Sequence, residues 1–356
     1  MAETQALKDR SKVILLRRRW SHHASPSGYD RLGDYVGQPL DVSPVRRWLL
    51  PNRLLWRLAR GVIAYDRTGV ALEFAVARHM TTHCDNVYHF LYGESTFKHA
   101  ARLNGWRGHR IVASYHNPLQ SFCELLQDVS HVPRLSAVVI LGRTQFSIFE
   151  ALLPPERIFF VPHGVNTTFF CPPAENSQRK TNLCLFVGHH LRDIETLNEL
   201  IVLSGELAPQ LKYVVITLPE YKQCFSRSSG NVEIRTALSD HSLVELYQMA
   251  GQLVIPLHDT VANNTVLEAL ACGLPIVVTD VGSIRDYVDD RCALLTPPRD
   301  ARAMLAAILQ VAGTPRLREE MSRSARNRAL EFDWEVVAQQ MTDVYRKVRN
   351  LPAVAG

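Results

Sequence analysis

The chain has 356 residues, which is more than one ordinary hydrophobic core accommodates and suits two domains of about 150 to 180 residues each. Hydrophobic residues make up 46% and charged residues 21%, as in globular proteins, and no apolar run reaches the roughly 18 residues that span a bilayer. The formal net charge of +5 is uneven, since residues 1–165 hold 21 Lys and Arg against 13 Asp and Glu. This asymmetry favours an anionic partner, a membrane surface or an acidic acceptor, or serves solubility alone.

The beginning of the chain does not have the pattern of a secretion signal. Residues 1–12 are polar and charged, and the apolar residues 13–16 are too few and are followed at once by three arginines. The seven cysteines are an odd number without Cys-x-x-Cys spacing, so they are interpreted as small buried hydrophobes. We therefore expect a cytoplasmic protein without disulfides or zinc.

In the first half, short apolar runs alternate with amphipathic stretches of helical length. This alternation is typical of parallel sheets covered by helices. The pattern predicts one doubly wound α/β domain, with strands over residues 12–16, 61–65, 87–91, 110–114, 137–141 and 158–161.

A second Rossmann-like domain is predicted after the Pro-rich, polar stretch 172–178. We place the domains at 1–170 and 171–334, with a C-terminal helix over 335–356 that packs back on the first domain. Ligands of such sheets bind beyond the carboxyl ends of the strands, so we expect the two domains to face each other across a cleft that holds the site. The predicted strands are 182–187, 213–218, 232–235, 252–256, 275–279 and 293–296, with helices that include 242–250 and 265–271.

Residues 255–280, IPLHDTVANNTVLEALACGLPIVVTD, resemble the donor-site signature of the large retaining glycosyltransferase family that includes bacterial mannosyltransferases and sucrose synthases. Residues 160–166 resemble the hinge strand of that family, and 332–334 the start of its last helix. The resemblance implies the GT-B fold of two Rossmann-like domains. It also implies transfer of a sugar from a UDP- or GDP-sugar, with retention of configuration, to a glycan, lipid-linked or small-molecule acceptor.

Glu268 matches the glutamate with which this family binds the ribose diol of the donor. A carboxylate can accept two hydrogen bonds from a diol. Asn263, Asn264 and Thr265 form the first turn of the predicted helix, where free backbone N–H groups suit a diphosphate or sugar. The simpler interpretations are a carboxylate stabilised by the helix dipole and an asparagine that caps the helix.

The loop after the first strand of the second domain resembles the family's diphosphate site. Gly188 and Arg192 match its glycine and a cation, while His189 stands where an arginine is usual, so its charge would depend on pH. A surface or capping histidine is the alternative. Base contacts are expected near Leu238. Cations of this kind lower the barrier to loss of a nucleotide diphosphate, so we expect an enzyme without metal or cofactor.

Two residues of the first half complete the predicted site. Gly28 matches a glycine loop of the family and would let the backbone approach a phosphate closely. His116 follows a predicted strand where the family has a histidine that projects into the cleft, and it is the candidate catalytic residue. The resemblance implies that the leaving phosphate takes the acceptor proton, while His116 orients the sugar. A strand-end histidine with its hydrogen bonds satisfied is the alternative.

The sequence departs from the family at Thr260, where another glutamate is usual. That glutamate faces the sugar hydroxyls, so the donor sugar, or activity itself, depends on the substitution. The alternatives are therefore a non-catalytic nucleotide-sugar-binding subunit and a nucleotide-sugar epimerase of the same fold. Nucleic-acid binding has no supporting motif.

Residues 46–60 combine Arg, Trp and Leu as interfacial segments do, and Pro51 interrupts them. This segment predicts either peripheral membrane contact or an amphipathic helix packed on its own sheet, with snorkelling arginines.

Overall fold

The computed structural model describes residues 12–18, 26–40, 51–174, 179–225 and 230–352. Within these residues the chain forms two compact units. The first contains residues 12–18, Gly28–His163 and the stretch from Trp334 onward. The second contains Gly164–Asp333 and also Ser27.

The first unit is built on a parallel sheet with the strand order β2-β1-β3-β4-β5-β6. The side chains of β1, β3 and β5 are buried throughout, as expected for parallel strands covered on both faces. The strands are β1 (Val13–Leu16), β2 (Gln38–Pro39), β3 (Val87–Phe90), β4 (Arg110–Tyr115), β5 (Ala137–Ile140) and β6 (Ile158–Phe160).

Helices of the first unit connect these strands, and one more is added from the end of the chain. Asp66 caps the long helix before β3 by accepting from the backbone N–H groups of Thr68 and Gly69. The helices are α1 (Asn52–Ala59), α2 (Arg67–Thr82), α3 (Gly93–Thr96), α4 (Leu119–Leu125) and α5 (Phe146–Phe149), and the last helix of the chain, α12 (Trp334–Asn350), also belongs to this unit.

The second unit repeats the architecture with the parallel order β12-β11-β10-β7-β8-β9. Its strands are β7 (Lys180–Val187), β8 (Lys212–Ile216), β9 (Val232–Arg235), β10 (Ala250–Ile255), β11 (Ile276–Thr279) and β12 (Ala293–Thr296). Its helices are α6 (Ile194–Leu207), α7 (Asp240–Met249), α8 (Asn264–Ala271), α9 (Ile284–Tyr287), α10 (Ala301–Gly313) and α11 (Pro315–Leu330). The prediction of two Rossmann-like α/β domains is confirmed.

The strand predicted over residues 61–65 is wrong. Gly61 has a φ of 81°, in the left-handed region, and turns the chain. Val62 makes only an isolated antiparallel bridge to Leu126, and the backbone N–H of Tyr65 donates to the carbonyl of Val62 in a turn. Val62 and Tyr65 are buried in the core of the first unit, which explains the strand-like composition of the segment, whereas Ile63 is exposed.

The predicted segment 46–60 is described in part, because residues 41–50 lie outside the described residues. Its described part forms α1 after Pro51, and no residue of α1 is buried. Leu58 and Ala59 nevertheless pack against the core of the first unit. Among the residues that the structure describes, no helix is long and apolar enough to cross a membrane.

Candidate functional site

Glu268 is the centre of a buried polar cluster in the second unit. It lies in α8, and its side chain is 5% exposed. Tyr247, on α7, donates its hydroxyl to Oε2 over 2.9 Å, and Ser27 donates to Oε1 over 2.5 Å. Burial raises the pKa of Glu268 to about 7, although these two hydrogen bonds and the charge of Arg192 oppose the shift. The carboxyl group therefore changes its protonation state near neutral pH.

Arg192 ties the loop after β7 to the first turn of α8. Its Nη2 donates to Oδ1 of Asn263 over 3.3 Å and to Oγ1 of Thr265 over 3.2 Å. Its Nε and Nη1 donate to the carbonyls of Val187 and His190, both over 3.1 Å. Burial lowers the pKa of Arg192 to about 10, so the side chain stays cationic at neutral pH. In this arrangement a positive charge is held at the start of α8.

The start of α8 has the form of an anion-binding helix N-terminus. Asn263 caps the helix by accepting from the N–H of Val266 over 3.4 Å, and Asn264 is the first helical residue. Thr265 also hydrogen-bonds to Tyr247, so the side chains from Arg192 to Glu268 form one connected network. The helix N-terminus, with its partial positive charge, and the guanidinium lie together, as a phosphate site requires.

The remaining predicted residues of the second unit lie in loops at the ends of strands. Gly188 directly follows β7 with a φ of 95°, and a Cβ there would meet Nη2 of Arg192 at 3.1 Å. His189 is half-buried, and its ring stacks on Tyr221 with 4.1 Å between centroids. Leu238 packs against the core of the unit and follows Ala237, which has a φ of 55°.

In the first unit, His116 lies one residue after β4 among aromatic side chains. Its Nδ1 is 3.1 Å from Oε1 of Glu94. Its ring stacks on Tyr92 at 4.5 Å between centroids and meets the ring of Tyr29 edge-on at 4.9 Å. Within the described residues, the buried Nε2 of His116 and Oε2 of Glu94 have no hydrogen-bond partner. The imidazole is thus oriented by one nitrogen and has the other available to a ligand hydroxyl.

A second buried chain of hydrogen bonds lies beside His116. His89 contacts Tyr345 through Nδ1 and Ser114 through Nε2, both over 2.7 Å, and Ser114 donates to the hydroxyl of Tyr29 over 3.1 Å. Burial lowers the pKa of His89 to about 3, so its ring is neutral. Because Tyr345 lies on α12, this chain of bonds links the end of the sequence to the ring that contacts His116.

Gly28 adjoins this region of the first unit, with a φ of 104° directly before the 3₁₀ turn Tyr29–Asp34. The structure therefore brings Arg192, Asn263, Thr265 and Glu268 together in one unit, and it places Gly28 and His116 in the other. Sequence reasoning missed Ser27, Tyr247 and Glu94. Glu94 could have been found from its place just after β3, whereas Tyr247 lies in an ordinary amphipathic helix.

Thr260, at the position of the missing family glutamate, is buried and 3% exposed. Its backbone carbonyl accepts from the N–H of Ser283 over 2.8 Å. Gly282 closes this turn, and a Cβ there would lie 2.2 Å from the same carbonyl. In the described residues, no cluster of His, Cys, Asp or Glu could hold a metal ion.

The whole described fold is similar to solved glycosyltransferase structures. Sucrose-phosphate synthase from Thermosynechococcus elongatus superimposes with a TM-score of 0.69 at 17% identity, covering 95% of this chain and 99% of that one. HepE from Anabaena, in complex with UDP and glucose, gives 0.66 at 13% identity, covering 94% and 99%. The chain is a two-domain protein of the GT-B fold.

Sequence comparison gives a family match within the second unit. Residues 182–313, within this unit, match the family model described as Glycosyl transferases group 1. A D-inositol 3-phosphate glycosyltransferase of Jonesia denitrificans is 26% identical over 231 residues, or 56% of this chain and 54% of the relative. That of Saccharomonospora viridis is 36% identical over 106 residues, or 30% and 25%. The matches thus span between about a quarter and about half of these relatives.

Proposed function

We propose that the protein is a glycosyltransferase that moves a sugar from a nucleotide-diphosphate donor, a UDP- or GDP-sugar, with retention of anomeric configuration and without a metal ion. The observation that carries this proposal is the network that joins Arg192, the first turn of α8 and buried Glu268. It combines a cation, a helix N-terminus and a carboxylate, which are the groups that a nucleoside diphosphate needs.

Glu268 is proposed to accept hydrogen bonds from the ribose diol. A diol donates two hydroxyls, the same number that Ser27 and Tyr247 donate to the carboxylate here. Because the carboxylate is buried and each of its oxygens already accepts a hydroxyl, ribose binding is proposed to displace at least one of these partners. Since burial raises the pKa of this group to about 7, the ionised form that accepts two hydroxyls is favoured above neutral pH.

The diphosphate is proposed to bind at the N-terminus of α8, with the backbone at Gly188 and the ring of His189 at its other side. Arg192 contributes its positive charge, and its hydrogen bonds hold Asn263 and Thr265 in position. Departure of a nucleoside diphosphate develops negative charge, which these fixed groups would stabilise. A guanidinium and a helix N-terminus can do so without a divalent cation.

In the first unit, His116 is proposed to contact the transferred sugar. Glu94 contacts Nδ1 of the imidazole, and the buried Nε2, which has no hydrogen-bond partner among the described residues, is proposed to bind a hydroxyl of the sugar. In this role the histidine orients the sugar, while the leaving phosphate accepts the proton of the acceptor. The acceptor is proposed to be a glycan, a lipid-linked molecule or a small molecule, and the small-molecule class is supported by the two relatives named above as D-inositol 3-phosphate glycosyltransferases.

Thermal stabilisation by nucleotides tests this function. With a chelator present, one class among UDP-, GDP- and ADP-sugars is expected to raise the melting temperature of the wild type and not of Glu268→Ala. Glu245→Ala is the matched control, because Glu245 is an exposed carboxylate on neighbouring α7. If no nucleotide stabilises the wild type, the donor-site assignment fails.

A second candidate, a non-catalytic nucleotide-sugar-binding subunit, is favoured by buried Thr260 in place of the family glutamate. Product analysis separates the two functions. The enzyme should release nucleoside diphosphate and transfer sugar to an acceptor, with the anomeric configuration of the product read by proton NMR. A subunit would bind the same donor and leave it intact with every acceptor class.

A further inference from the structure

Helix α1 presents a basic face to solvent on the first unit. Trp56 and Arg57 lie three and four residues after Arg53, on the same side of the helix, and exposed Arg60 directly follows the helix. Leu58 and Ala59 lie on the other side and pack against the core. The four outward residues are called the α1 face.

The α1 face combines unneutralised charge with an exposed aromatic ring. Trp56 is 78% exposed, whereas a tryptophan in a folded domain is usually mostly buried. In the part of the chain that the structure describes, Arg53, Arg57 and Arg60 form no ion pair. The α1 face therefore differs from a surface on which the charged side chains are paired in salt bridges.

Side chains near the α1 face are also exposed and apolar, and the surrounding sequence is also basic. Leu54, at 44% exposure, borders the face, and Ile63, at 65% exposure, follows it in the chain. Residues 42–65 contain five arginines and no acidic residue. The acids beyond them are already paired, Asp66 with Arg18 at 2.9 Å and Asp128 with Lys98 at 3.4 Å.

From this arrangement we infer that the α1 face docks the protein onto an anionic lipid bilayer. The positive charge of the arginines complements the negative charge of such a surface, to which each arginine contributes about a fivefold gain in affinity. Trp56 and the flanking Leu54 and Ile63 suit the boundary between headgroups and acyl chains, where tryptophan is favoured. The attachment is peripheral and reversible, and it is independent of the proposed transfer reaction.

Vesicle sedimentation of the full chain tests the inference. One set of vesicles is phosphatidylcholine alone, and in the other about a third of the lipid is phosphatidylglycerol, which gives the surface a negative potential. The protein is expected to sediment with the anionic vesicles, less so as salt concentration rises, and not with the neutral ones. Equal sedimentation with both sets, or with neither, would overturn the inference.

The variant Arg53→Gln/Arg57→Gln/Arg60→Gln should reduce the affinity for anionic vesicles at least tenfold. The matched control, Arg78→Gln/Arg102→Gln/Arg134→Gln, removes the same charge from other exposed positions of the first unit and should retain most of the binding. Circular dichroism and melting temperature verify that both variants fold. Equal losses in the two variants would show a general charge effect and refute a docking face.

Tryptophan fluorescence gives a second readout of the same face. Anionic vesicles should shift the emission of the wild type to shorter wavelength, and Trp56→Phe should abolish the shift while leaving a phenyl ring in place. Binding of single-stranded RNA is measured in parallel. If RNA binds through the three arginines and the vesicles do not, the face recognises nucleic acid and the membrane inference is wrong.

Discussion

Ser27 donates its hydroxyl to Oε1 of Glu268 over 2.5 Å, although the two residues are 241 positions apart in the chain. The hydroxyl contacts one of the two carboxylate oxygens that the ribose diol is proposed to use, and the buried carboxylate leaves little room for a further donor. The proposed donor therefore competes with a residue of the protein for the same carboxylate oxygen.

Ser27→Ala is expected to bind UDP or GDP about three- to tenfold more tightly than the wild type, since a hydrogen bond worth about 0.5–1.5 kcal/mol no longer has to be exchanged. Isothermal titration calorimetry measures the dissociation constant. Ser27→Thr retains a hydroxyl and is the matched control. Weaker binding by the alanine variant would mean that Ser27 contacts the ligand and does not compete with it.

The stability of the second unit should depend on pH through Glu268. Because the folded pKa, about 7, is above the ordinary glutamate pKa of 4.5, the folded state holds the proton more strongly between these values. Rising pH over this window therefore removes stability, on the order of 3 kcal/mol in full. Glu268→Gln lacks this titration.

Accordingly, the melting temperature of Glu268→Gln relative to the wild type should increase by several degrees from pH 4.5 to pH 8. Scanning calorimetry without ligand measures the difference. Glu245→Gln, at an exposed position, should follow the wild type at every pH. A constant difference between Glu268→Gln and the wild type would show that the carboxyl group titrates as in the unfolded chain.

Arg192→Lys tests whether the planar guanidinium is needed as well as its charge. Lysine cannot reach Val187, His190, Asn263 and Thr265 together, so several of these partly buried acceptors lose their donor, at a cost of about 1–3 kcal/mol. We expect a lower melting temperature and about tenfold weaker nucleotide binding. Arg302→Lys, at an exposed position of α10, is the control. Unchanged binding would assign Arg192 to stability alone.

Tyr345→Phe should destabilise the first unit by about 1–3 kcal/mol, because Nδ1 of buried His89 loses its partner. The readout is the urea midpoint of a transition assigned to the first unit by hydrogen exchange in β3. Tyr221→Phe, at a partly exposed position of the second unit, is the control. An unchanged midpoint would show that the contact between His89 and Tyr345 contributes no stability.

The sequence allowed the fold to be predicted where each strand is a short, buried apolar run between helices. Such runs are continuous in parallel sheets, so β7 and β10 were recognised from composition alone. Residues 61–65 have the same composition, and the error arose because burial of Val62 and Tyr65 in a turn demands the same side chains. Composition reports burial, and it does not distinguish a turn from a strand.

The sequence predicts the positions of site residues only where a local sequence pattern, such as a helix start, determines them. Asn263 and Thr265 follow from their place at a helix start, and the structure confirms that Asn263 caps α8. The contacts of Glu268 with Ser27 and Tyr247 join distant parts of the chain, so no spacing rule reveals them. The engagement of Arg192 with backbone carbonyls likewise depends on the path of the loop after β7.

Because the chain returns to the first unit at Trp334, the last helix of that unit is synthesised after the whole of Gly164–Asp333. A ribosome makes all of Gly164–Asp333 before it makes α12, whose Trp334, Val337 and Tyr345 are buried. The second unit therefore has its complete set of strands while the first still lacks a helix and the hydroxyl partner of His89. During translation the later half of this protein can reach its native state first, and the earlier half is completed last.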